Sequence, residues 1–170
     1  VEKILKKTLF LTVFLLFAGF SVFGEMVYVY IEETCNGEHV ECLPQTRSGI
    51  FDELFEAGYI VFDNSEDKAE TDRIMGKKLS PVFTQAVSGG ADFLIAVAIA
   101  STREVLASKR IRLVSTSTYF LYDALTGKLL ATGNATINNK DREEEMPPAQ
   151  CGISMGKQIG SALGGILGSY

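Results

Sequence analysis

The residues of this chain best equipped for chemistry are Cys35, His39 and Cys42. They share one short polar segment, Cys-Asn-Gly-Glu-His-Val-Glu-Cys. Two thiols flanking the turn pair Asn36-Gly37 suit a disulfide that closes a small loop, worth about 2–3 kcal/mol in an oxidising compartment. His39 between them opens a metal alternative, but three ligands at this spacing match no tetrahedral zinc pattern. Cys151 is the odd one of three cysteines. His39 is the single histidine, so it is the one candidate for a histidine-based dyad or triad. Gly-x-Ser-x-Gly, the phosphate-binding P-loop, His-Glu-x-x-His and Cys-x-x-Cys are all missing. Ser88-Gly89-Gly90 precedes a strand, whereas a dinucleotide loop follows one. The carboxylates Glu53, Glu56, Asp67, Glu70 and Asp72 fall at exposed helix positions, and Asp141-Arg142-Glu143-Glu144-Glu145 reads as a solvated connector more than a calcium site. The expectation is a protein that is not an enzyme and carries no cofactor. A carboxylate-based hydrolase or small-ligand binder is the further alternative.

A second pattern lies at the C-terminal end. Gly152, Gly156, Gly160, Gly164 and Gly168 recur every four residues, a spacing familiar from paired membrane helices. At about 100° per residue the five glycines spread over roughly 160° of a helix. Met155, Ile159, Ala162, Leu163, Ile166 and Leu167 gather on one side, with Ser154, Lys157, Gln158 and Ser161 opposite. This predicts an amphipathic helix over 151–170, packed on the domain with glycine along one shoulder. Contact with a membrane or a second copy through residues 152–170 is the alternative.

The N-terminus sets the compartment. Lys3, Lys6 and Lys7 precede the uncharged stretch Thr8 to Phe20, and Ser21-Val22-Phe23-Gly24 offers small residues for cleavage before Glu25. Residues 1–24 therefore read as a signal peptide, because thirteen apolar residues fall short of the ~20 that span a bilayer. An uncleaved anchor is the alternative. The product is expected to be periplasmic or secreted. Past Gly24, 13 Lys/Arg stand against 20 Asp/Glu, so no basic surface invites nucleic acid.

The elements that must position these residues follow from periodicity. Met26–Glu33 reads as a strand, 44–57 as a helix ended by Gly58, and 59–63 as a short buried strand. A helix starts at Ser65, with Glu66 and Asp67 in its first turn, and a shorter one runs over 81–87. Ala91–Ala100 is apolar on both faces and reads as a central, covered strand. Strands over 108–122 and 128–138 are joined at Gly127. Leu129, Ala131, Gly133, Ala135 and Ile137 share one face of the last strand. Its partner, with Arg110, Arg112, Ser115, Thr116, Ser117 and Thr118, is expected to be partly wet. The fold class is α/β, a single domain (25–150 plus the helix of 151–170). Its mixed sheet has about five strands in the order β-α-β-α-β-β-β-α, with helices packed on the sheet.

Three local signatures sit on this order: Leu54-Phe55-Glu56-Ala57-Gly58-Tyr59-Ile60-Val61-Phe62-Asp63, Gly89-Gly90-Ala91-Asp92-Phe93-Leu94-Ile95, and Tyr122-Asp123-Ala124-Leu125-Thr126-Gly127-Lys128-Leu129-Leu130. Together they resemble the bacterial envelope group of the curli secretion-channel protein, the penicillin-binding-protein activator lipoproteins and flagellar assembly protein T. The resemblance implies a periplasmic, non-enzymatic domain whose partner is another envelope protein or a second copy of itself. The chain departs from the lipoproteins of that group in having no cysteine at the cleavage region. It also leaves little length for extra pore-forming strands.

Overall fold

The computed structural model describes residues 24–63, 80–107, 111–138 and 147–170. The stretch up to residue 23 expected to belong to a signal peptide, the helix expected from Ser65 and the acidic run 141–145 lie outside the described residues.

The chain builds β1 (Met26–Cys35), α1 (Thr46–Glu56), β2 (Ile60–Phe62), α2 (Ser80–Ser88), β3 (Phe93–Val105), β4 (Ile111–Asp123), β5 (Leu129–Asn138) and α3 (Pro148–Leu167). One five-stranded sheet runs in the order β2-β1-β3-β4-β5. β1 is parallel to both β2 and β3, and β3, β4 and β5 form an antiparallel meander. The mixed sheet, the order of elements and the central place of β3 are those the sequence pattern predicts.

Alternation sorts the strands onto two faces. Val27, Val29, Phe93, Ile95, Val97, Ile99, Leu113 and Leu121 form one core with Ile50 and Leu54 of α1 and Met155, Ile159, Leu163 and Leu167 of α3. The opposite face holds a smaller core of Tyr28, Leu94 and Ala124 beneath Val82 and Ala86 of α2. This second cover is partial: along β3, Leu94 and Ala96 are buried, Ala98 is half-buried and Ala100 is exposed. Gly58 ends α1 at φ +95° and Gly127 closes the β4–β5 hairpin at φ +67°. Both are left-handed conformations that a side chain would strain.

Three expectations need correction. β2, expected as a buried strand, is exposed at Ile60 and half-buried at Val61 and Phe62. The partly wet face expected of β4 is divided: Thr116 is exposed, whereas Ser115 and Ser117 are buried. They face α3, where Ser115 shares a 2.8 Å hydrogen bond with Ser101 and Ser117 reaches Met155 Sδ at 3.3 Å. Leu129 leaves the small-residue face, because the register shifts between Leu121↔Ala131 and Tyr122↔Leu129. The bulge passes Leu130 over without a partner and reverses the alternation there, so Leu130 packs against the main core and Leu129 is exposed.

Candidate interaction surfaces

Cys35 and Cys42 form the disulfide, with a Cα–Cα distance of 5.7 Å, and both are buried. Asn36 ties the loop to β3: its side-chain oxygen accepts from Arg103 N at 2.9 Å, and its amide donates to Arg103 O at 3.0 Å. The metal reading loses two of its three ligands to this bridge. His39 Nδ1 lies 3.8 Å from Glu32 Oε1. The two residues border a groove of about 380 Å³, whose floor and walls include Thr34, Ala98, Thr116 and Thr118.

Glu33, on the other side of β1, anchors the return of the loop. Its Oε1 accepts from Cys42 N and Leu43 N, each at 2.9 Å, and from Ser101 Oγ at 3.3 Å. Burial pushes the Glu33 carboxyl above its ordinary value of 4.5, outweighing the three hydrogen bonds that pull it down. A carboxyl whose folded-state pKa is raised stabilises the fold fully below its unfolded pKa, and this contribution is lost as pH rises through the folded value. Wild-type Tm is therefore expected to fall relative to Glu33→Gln as pH rises from about 4.5 toward neutrality. Paired melting curves across that window check the slope. Glutamine keeps the acceptor oxygen for Cys42 N and Leu43 N, so the comparison isolates the charge.

The C-terminal glycines meet α1 and the turn before it. A Cβ on Gly152 would run into Pro44 O and lie 2.9 Å from Leu43 O. On Gly156 it would strike Thr46 O, with Ile50 N at 2.8 Å and Gly49 Cα at 2.9 Å; on Gly160 it would meet Glu53 Cβ at 2.7 Å. Gly49 of α1 answers from the other side against Ile153 O and Lys157 N. Gly164 touches only Ala57 Cβ at 3.5 Å, and Gly168 lies past the helix end. Among the described residues, no helix is long and apolar enough to cross a membrane.

The half-covered face and the sheet's last strand make a third surface. Tyr122 stacks against Phe120 at 6.4 Å and meets Phe83 of α2 edge-on at 5.3 Å. Leu125 and Leu129 are exposed beside them. β5 pairs only with β4 among the described residues, so its other side is the edge of the sheet. Sequence reasoning singled out neither feature, because strand order is not written in local pattern. The missing charge in β5 was the available signal.

No protein-family model and no curated protein matches the chain. Solved structures do. The dodecamer of a single-residue variant of PelC from Paraburkholderia phytofirmans superposes with a TM-score of 0.55 at 17% identity, covering 82% of this chain and 88% of that one. The hypothetical protein CT253 from Chlamydia trachomatis gives 0.51 at 11% identity, over 86% and 99%. The LpoB C-terminal domain from Salmonella enterica gives 0.47 at 12% identity, over 68% and 83%. At these identities the likeness is one of fold, and at that level it agrees with the resemblance read from the three sequence signatures.

Proposed function

We propose that this chain is an exported, non-enzymatic interaction and assembly domain of the bacterial cell envelope. The observation that carries the reading is the outer edge of β5, which no other strand pairs with among the described residues. Exposed Leu129 of β5 lies opposite Tyr122 of β4, whose ring stacks on Phe120. Such a surface suits another polypeptide better than a small reacting molecule. Export supports the reading through residues 1–24, and the disulfide fits an oxidising compartment. The fold relative from Paraburkholderia is described as a dodecamer, which makes assembly a natural use of this architecture.

Membrane association through residues 152–170 would require α3 to abandon two contacts at once. Its apolar side is buried on the sheet, and Gly152, Gly156 and Gly160 are pressed against α1 and the preceding turn. A small-ligand reading has the Glu32–His39 groove in its favour, and a thermal shift with a metabolite panel that His39→Ala abolishes would support it.

Fractionation with N-terminal sequencing, followed by affinity capture from envelope extract, tests the proposal. The expected result is a periplasmic protein beginning at Glu25 that retains an envelope partner or a second copy. A cytoplasmic protein, or one that is strictly monomeric and captures nothing, would overturn it.

A further inference from the structure

We propose that the outer edge of β5 receives the β5 strand of a second copy in antiparallel pairing, so that two five-stranded sheets continue as one across a two-fold axis. This rests on the interaction-domain reading and names its partner.

An edge strand presents a row of main-chain donors and acceptors, and soluble proteins protect such rows with short strands, charged side chains, proline or bulges. β5 reads Leu-Leu-Ala-Thr-Gly-Asn-Ala-Thr-Ile-Asn, ten residues with no charge and no proline. In a chain of which 22% is charged, each of the other long strands, β1, β3 and β4, carries charged residues. β4 beside it carries Arg112 and Asp123, and β3 carries Arg103 and Glu104. The opposite edge of the sheet, β2, is only three residues long. The single irregularity of β5, its bulge, sits at the start. Ala131 through Ile137 then pair with β4 without interruption, about 24 Å of regular strand.

Self-complementarity selects a second copy as the occupant. In a two-fold antiparallel pair, residues opposite each other lie on the same face. With the axis at Asn134, that residue faces its own mate, and Thr132 faces the mate's Thr136 on the exposed side. Gly133 faces Ala135, and Ala131 faces Ile137, on the side toward α3. Every opposed pair is neutral and similar in character, and opposed Thr and Asn side chains hydrogen-bond favourably. Asn134 Oδ1 already accepts from Thr118 Oγ1 at 2.9 Å, leaving the Asn134 amide hydrogens for the mate. Two copies of the mature chain, each with 13 Lys/Arg against 20 Asp/Glu, repel one another, and the neutral strand is where they approach at least electrostatic cost.

The test uses the full mature chain in size-exclusion chromatography with light scattering. Wild type is expected at twice the chain mass, dissociating on dilution. Asn134→Lys/Thr136→Lys, at two exposed positions, is expected at the single-chain mass with an unchanged circular dichroism spectrum. Under oxidising conditions Asn134→Cys is expected to give a disulfide-linked dimer, whereas Thr132→Cys, opposite Thr136, does not. A wild type that is monomeric at every concentration overturns the proposal, as does a dimer indifferent to the lysine pair. If that monomer nevertheless captures a partner from envelope extract, the interaction-domain reading survives and the self-pairing does not.

Discussion

Gly156→Ala is expected to destabilise the domain by about 2–3 kcal/mol, and Gly165→Ala, on the same helix, to stabilise it by up to about 1 kcal/mol. The substitution is identical, and helix propensity favours alanine by the same amount at both sites. What differs is the neighbour. A Cβ at Gly165 meets nothing within 4 Å. At Gly156 it meets main-chain atoms of Thr46, Gly49 and Ile50, which cannot swing aside as a side chain can. α1 and α3 would have to separate, and both feed the principal core through Ile50, Leu54, Met155 and Ile159. Thermal melts should show Gly156→Ala lower by roughly 6–9 °C and Gly165→Ala level or higher. Equal effects at the two positions would mean that the seam between the helices is looser than described.

The Cys35–Cys42 bridge has the next largest expected effect. It closes a loop with a sequence separation of 7, and a loop of that size restricts the unfolded chain by about 2–3 kcal/mol. Its loss also frees the segment whose Cys42 and Leu43 amides bond to Glu33, immediately before α1. Cys35→Ala/Cys42→Ala is expected to lose that stability. Wild type with dithiothreitol should melt close to the double variant, while the reductant leaves the double variant unchanged. A wild type indifferent to reductant would separate the bridge from stability and weaken the link to an oxidising compartment.

Much of this architecture was legible in the residues. The β-branched and aromatic run Met26–Glu33 announces a strand. The unbroken apolar run from Phe93 announces the middle of a sheet. The Asp123–Lys128 turn, with glycine at 127, announces a hairpin. The misreadings came from interactions at a distance. Ser115 and Ser117 look like solvent-facing residues until Ser101 and Met155 supply partners for them beneath α3. Leu129 looks like part of a uniform face until the bulge at Leu130 reverses the alternation. The five glycines carry a regular spacing but no address. Only the tertiary arrangement shows that three of them admit α1 or its preceding turn, while the last two have little to admit. The β5 edge was hidden for the same reason, since strand order is a property of the whole sheet.

Whether the chain works in the envelope by contacting another protein or a second copy along β5 is tested most directly by a photo-crosslinking residue at Thr136 in intact cells, followed by fractionation. The expected result is a crosslinked species in the periplasmic fraction, to a second copy or to an envelope protein, that a crosslinker at exposed Gln158 of α3 does not yield. Finding the Thr136 variant only as uncrosslinked chain, or in the cytoplasm, would contradict it.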